Sequence, residues 1–153
     1  MNRARAVGLA LLLSAAAASA QDAFPGRGRT VFLLVDTDYL LCAPCSAWLE
    51  DLARLLPPPA RAAGLRVIVT YRDPEGEGAG GRRGQIARLQ WRGFAGGRSL
   101  DLPVAFDDGR AFHELVTSGP AAWLLDFELG TVRKIPSPLR AGEVAEIAAF
   151  LLR

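Results

Sequence analysis

The chain has 153 residues, 50 % of them hydrophobic and 22 % charged, with two cysteines. That composition excludes a disordered, collagenous or disulfide-stapled chain. Arg3 and Arg5 account for the whole formal charge of +2, so the rest is balanced and does not support electrostatic capture of nucleic acid as a primary role.

The first twenty residues fall into three zones: a basic stretch 1–5, an apolar run 6–18 rich in Leu and Ala, and the small residues Ala18, Ser19 and Ala20. This order predicts a secretory signal peptide, cleaved after Ala20. A membrane anchor would need about 20 apolar residues, and this run is shorter and ends in small side chains. No cysteine follows to take a lipid. The expected organisation is a signal peptide 1–20, a short lead 21–29 and one domain 30–153, with no membrane span after cleavage. Export sets the redox context, because a cysteine pair outside the cytosol can persist as a disulfide. Periplasmic and extracellular placements both stay open.

Along the domain, residues 30–35 form a continuous apolar run that suits a strand buried on both faces. A helix follows, with Trp48, Leu49, Leu52, Leu55 and Leu56 recurring at helical spacing and Glu50, Asp51 and Arg54 opposite; Pro57, Pro58 and Pro59 stop it. Residues 65–71 form a second strand by their β-branched content. Ile86, Leu89, Gln90 and Phe94 sketch a weaker helix beyond a Gly-rich loop. Residues 102–106 make a short strand, 110–116 a short helix and 121–127 another apolar strand. Leu129 and Gly130 turn the chain into a hairpin partner at 132–135. A helix at 142–152 closes the chain, with Val144, Ile147, Ala148 and Leu151 on one face. Strands separated by helices predict an α/β sheet with parallel pairs, and the last two strands, joined too closely for a crossover, pair antiparallel. The sheet is therefore mixed.

Cys42, Ala43, Pro44 and Cys45 sit where the first strand hands over to the long helix. Spacing of three brings two thiols to one side of a helical turn, within reach of a disulfide. Cys42 falls at the helix N-terminus, where free amides and the macrodipole favour the thiolate, and Pro44 falls in the first turn, where a missing amide costs nothing. These positions make Cys42 the attacking thiol on a substrate disulfide and Cys45 the thiol that resolves the mixed disulfide. Two alternatives are an inert bridge and half of a metal site. A bridge over so short a loop adds little stability. A closed zinc site needs four ligands, and the chain offers two cysteines and one histidine.

Val35 and Asp36, followed by Cys42-Ala43-Pro44-Cys45, resemble the thioredoxin pattern of an Asp ending the central strand six positions before a C-x-P-C site. Gly119-Pro120-Ala121-Ala122-Trp123-Leu124-Leu125-Asp126, with Gly130 soon after, is similar to the cis-proline strand of the same superfamily. With the extra strand at 102–106 and the export signal, the chain most resembles the secreted TlpA-like branch. The resemblance implies a thioredoxin-like mixed sheet flanked by helices, and it implies roles. Cys42 is the nucleophile and Cys45 the resolving thiol. Pro120 is a cis-proline, and the backbone at Gly119 takes an extended substrate strand beside Pro44 and the cysteines. Asp36, buried with a raised pKa, accepts a proton to help activate Cys45; the alternative is that it caps a turn with Thr37 and Asp38. The chain departs from the pattern in lacking Trp before the first Cys and Lys near the Asp.

Other signals are weaker. The string 76–81 matches G-x-G-x-x-G, yet charged residues separate it from the strand, so it reads as a flexible loop and not a dinucleotide fingerprint. Arg82, Arg83, Arg88, Arg92 and Arg98 read as a solvated helix face or as a hold on an anionic partner. His113, with Cys42 and Cys45, offers a soft donor set for copper; as a helix residue beside Glu114 it otherwise faces solvent. A peroxidase reading lacks the Thr expected three positions before the reactive Cys, where Tyr39 stands. With Pro44 beside the second Cys and no His between the two, the site resembles the reducing members of the family, and that resemblance implies an exported disulfide reductase. It needs a protein disulfide substrate and an upstream electron donor, and implies no cofactor, no resident metal and no nucleic-acid partner. The alternative is a non-enzymatic module of the same fold that binds copper or a protein. Nothing in the sequence fixes an oligomeric state.

Overall fold

The computed structural model describes residues 28–112, 115 and 119–153. The expected signal peptide and most of the lead segment lie outside the described residues, as do His113, Glu114 and Val116 of the helix expected at 110–116.

Strand β1 (Arg29–Asp36) is central in a five-stranded sheet of order β3-β2-β1-β4-β5, with β2 at Leu65–Thr70, β3 at Val104–Phe106, β4 at Ala121–Asp126 and β5 at Thr131–Pro136. β1, β2 and β3 run parallel, while β4 is antiparallel to β1 and β5 antiparallel to β4. The mixed sheet predicted from the element order is the sheet found. Alternation along β1 explains its unbroken apolar run. Val31, Leu33 and Val35 enter the main core, while Phe32 and Leu34 enter a smaller cluster with Ile68, Phe112 and Leu125 on the other face.

The main core is closed by helices. α1 (Thr37–Leu41) leads directly into α2 (Ala43–Leu55), which buries Trp48, Leu49 and Leu52. Leu56 is buried just past its end, but Leu55 is 51 % exposed, so the apolar stripe is narrower than its leucine spacing suggested. α3 (Pro58–Gly64) was not expected. The three prolines that end α2 also open the next helix, since a proline in the first turn forfeits no hydrogen bond. α4 (Arg82–Gly97) buries Ala87, Trp91 and Phe94, and α5 (Ala141–Leu152) buries Val144, Ile147 and Ala148.

The 71–81 connection is tied down by side chains. Asp73 is buried and its Oδ2 accepts the Gly78 amide at 2.7 Å, ahead of a single 3-10 turn at Gly78–Gly80. A Cβ on Gly84 would lie 2.3 Å from the Gly78 carbonyl oxygen, so glycine is what lets the first turn of α4 press against this connection. At the opposite end of the sheet, Gly130 takes φ +62° in the β4–β5 turn. Asp126 accepts the Glu128 and Leu129 amides at 3.1 and 2.9 Å and Arg29 Nε at 3.0 Å. The Leu129 amide first, and then Arg29, hold its carboxyl below the usual range.

Candidate active site

The two cysteines form a disulfide, with Cα atoms 5.2 Å apart, inside the range a bridge spans without backbone movement. Cys42 closes α1 by donating its amide to the Tyr39 carbonyl and is at the same time the N-cap of α2, with Pro44 in the first turn. Both cysteines are half-buried, and Ala43 and Pro44 between them are exposed, so an incoming sulfur can reach the pair from solvent. Leu41, 69 % exposed, stands just before Cys42 and gives the approach an apolar edge in place of the missing Trp.

The first-turn donors are largely engaged. The Cys45 and Ser46 amides donate to the Cys42 carbonyl at 2.9 and 3.2 Å, the buried Ser46 Oγ donates to the same oxygen at 3.2 Å, and Pro44 has no amide. A Cys42 thiolate thus gains from the helix macrodipole, which contributes about 0.3–1 kcal/mol, with few amides left to bind it directly.

Asp36 departs from its expected burial. It is half-buried instead of enclosed, and its Oδ1 accepts the Tyr39 amide at 2.7 Å as the N-cap of α1. Capping outcompetes burial because the helix after β1 has unpaired first-turn amides, and an Asp at its mouth satisfies one at once. The turn-capping alternative for this residue is therefore the arrangement present.

The cis-proline expectation is also corrected. The cis X–Pro bond among the described residues is Ser137–Pro138, and Gly119–Pro120 is not cis. Gly119 makes the change of direction into β4 at φ +90°, which glycine adopts without steric cost, and the peptide keeps the trans geometry that X–Pro bonds favour. Ala121 pairs with Leu34, so Gly119 and Pro120 reach the end of the sheet at which β1 hands over to the cysteines.

A hydrogen-bonded chain that sequence reading missed joins these parts. The Ser137 amide donates to the Pro120 carbonyl at 3.0 Å, Ser137 Oγ pairs with Tyr39 Oη, and Trp48 Nε1 donates to Tyr39 Oη at 2.7 Å. Tyr39 thus ties α1, the dithiol helix and the Pro120 segment together. Its partner Ser137 lies 98 residues away, so no local signal reveals it.

A cleft of about 720 Å³ opens at the carboxyl ends of β1 and β2, lined in part by Asp36, Asp38, Tyr71, Arg72, Arg83 and Arg110. Tyr71 Oη donates to Asp108 Oδ1 at 2.7 Å, and Arg88 grips both oxygens of Asp108 at 3.0 and 2.6 Å. Burial, then the Asp108 contact, pushes the Tyr71 phenol up to about 12, so it remains a neutral donor. Among the described residues, no group of three or more His, Cys, Asp or Glu side chains could hold a metal. The Cys42, Cys45 and His113 set lies partly outside them. No helix of the described residues is long and apolar enough to cross a membrane.

No protein-family profile matches the chain, and no curated protein matches it in sequence. Solved structures are similar. One is a secreted Mycobacterium tuberculosis disulfide oxidoreductase homologous to E. coli DsbE, at TM-score 0.54 and 16 % identity over 82 % of this chain and 81 % of that one. Another is a thiol:disulfide interchange protein of the thioredoxin family from Chlorobium tepidum, at TM-score 0.52 and 15 % identity over 83 % of this chain and 79 % of that one. At such identities the likeness is one of fold.

Proposed function

We propose, given that the chain has a thioredoxin-like fold with a cysteine pair at the mouth of its long helix, that it is an exported thiol-disulfide oxidoreductase that reduces disulfides in other proteins. The observation that carries this is the half-buried Cys42–Cys45 disulfide at the N-cap of α2, at the same end of the sheet as the Gly119–Pro120 edge. In the reduced protein the Cys42 thiolate attacks one sulfur of a substrate disulfide, forming a Cys42–substrate bond and releasing the other substrate cysteine as a thiolate. Cys45 loses its proton and attacks Cys42 Sγ, forming the intramolecular disulfide and releasing the second substrate cysteine. Two electrons pass to the substrate, and an upstream thiol donor restores them. The Gly119 backbone and the exposed Pro44 flank the path of an extended substrate strand. Asp36, whose Oδ1 accepts the Tyr39 amide, holds the start of α1 and with it the approach to Cys42, and its Oδ2 is the oxygen that would take the Cys45 proton.

The sparse stabilisation of the thiolate supports the reducing direction. A strong oxidant stores its driving force in an exceptionally stable reduced form, and here Pro44 lacks an amide while those of Cys45 and Ser46 serve the Cys42 carbonyl. Equilibration with glutathione is expected to give a reduction potential of about −200 mV or lower. A value near about −120 mV, the strongly oxidising end of the range, would reverse the direction.

Export rests on the basic, apolar and small-residue zones of residues 1–20. Mass spectrometry of the chain recovered outside the cytosol is expected to find Gln21 as the first residue. A chain retained inside the cell with Met1 in place would contradict it.

A further inference from the structure

We infer that the cleft at the carboxyl ends of β1 and β2 is a carboxylate-binding subsite, and that it holds acidic side chains of the polypeptide whose disulfide Cys42 attacks. The inference rests on the dithiol function proposed above and names the substrate class for it.

The donors come first. Arg72, Arg83 and Arg110 line the cleft and are exposed, and their guanidinium groups have no hydrogen-bond or ion-pair partner among the described residues. Two other arginines, Arg88 and Arg98, are committed elsewhere. Arg88 is closed on Asp108 and on the Phe106 ring, and Arg98 on Glu50 and the Phe94 ring. A guanidinium presents five N–H donors in a planar fork that matches a carboxylate in bidentate geometry. Three such forks on one concave surface leave a surplus of charged donors.

The acceptors limit what fits. Asp36, Asp38 and Asp73 share the lining, so the cleft is formally neutral and a multiply charged phosphate gains little from its net field. Two of these carboxylates are already engaged, Asp36 by the Tyr39 amide and Asp73 by the Gly78 amide. The gain open to a ligand is the short-range, bidentate one, which a side-chain carboxylate collects in full. The cavity, about 720 Å³, has room for two such side chains and the backbone that carries them.

The position ties the cleft to the dithiol. Asp36, Thr37 and Asp38 form one wall, and the same five-residue helix α1 ends at Cys42. Its rise is roughly 7 Å at 1.5 Å per residue, which an extended peptide covers in two to three residues at about 3.3 Å each. The acidic side chains of a substrate would therefore lie about two to three residues from its reactive cysteine.

The test uses two disulfide-linked peptides of identical sequence, one with Glu and one with Gln at those positions, reduced by the dithiol form of the full chain. The KM for the Glu peptide is expected to be roughly two- to tenfold lower at low salt, as the ion pairs of two carboxylates with exposed arginines allow, and the advantage shrinks as salt rises. In the variant combining Arg72→Gln, Arg83→Gln and Arg110→Gln the ratio of the two KM values falls to about one, and Arg83→Glu with Arg110→Glu inverts it. Equal KM values in the natural chain, or a preference that survives the triple substitution, would overturn the subsite while leaving the reductase in place. Reduction of neither peptide would remove the dithiol function itself, and the subsite with it.

Discussion

Cys42→Ser is expected to lower disulfide exchange on the order of 10³-fold or more, because a serine hydroxyl is not ionised near neutral pH and the attacking thiolate is lost. The effect is catalytic and not a loss of fold. Closing so short a loop as residues 42–45 contributes about 2 kcal/mol at most in the chain-entropy picture, against a typical domain stability of roughly 5–15 kcal/mol. Circular dichroism of the variant should therefore match the reduced natural protein while turnover falls to background. Cys45→Ser is expected to differ in kind. It keeps the first attack and stalls at the mixed disulfide, so multiple turnovers are lost while a single covalent event survives. Turnover retained by Cys42→Ser would assign the nucleophile to Cys45.

The largest stability effect is expected at Leu52. It is fully buried on the face of α2 that also presents Trp48 and Leu49, within the main core between the sheet and the helices. Leu52→Ala removes three carbon atoms from a position with no solvent access, and such truncations cost about 2.7–5 kcal/mol through lost burial and the cavity left behind. For a domain of this size that corresponds to a fall in Tm of roughly 10–15 °C. Leu52→Met, which conserves volume, is expected to cost less than about 1.5 kcal/mol. Thermal unfolding of the two variants checks this directly. A shift of only a degree or two for Leu52→Ala would mean that α2, and the dithiol at its head, is not anchored through this face.

Much of the fold was readable because its physics is local. The apolar run of β1 announced a strand covered on both faces, and the close spacing of β4 and β5 dictated an antiparallel pair. Cys42 and Pro44 marked the start of α2 through rules that involve a single helical turn. Elements that escaped were short or held by distant partners. α1 is only five residues long, and its cap, Asp36, carries no periodic signal. Pro57, Pro58 and Pro59 end α2, but only packing decides that α3 begins there. α4 runs on through Gly93, Gly96 and Gly97, poor helix formers, because Trp91 and Phe94 are buried on its inner face.

The candidate site divides in the same way. The cysteine pair and the nearness of the Gly119–Pro120 edge to the end of β1 were legible in short motifs. The isomer of the Gly119–Pro120 bond was not, because a trans bond and a glycine at positive φ achieve the same reversal. The Tyr39, Trp48 and Ser137 chain was hidden by sequence separation. So was the sorting of the arginines: Arg83 was visible as a charge on a helix face, but only the folded chain sets it with Arg72 and Arg110 around one cleft while committing Arg88 and Arg98 to carboxylates elsewhere.

Trapping is the most direct measurement on the dithiol. Reduced Cys45→Ser protein, incubated with a disulfide-bonded peptide and resolved by mass spectrometry without reductant, is expected to carry one peptide strand on Cys42, released by added thiol. A Cys42 that remains free to alkylation after that incubation, with no adduct formed, would contradict its assignment as the attacking sulfur.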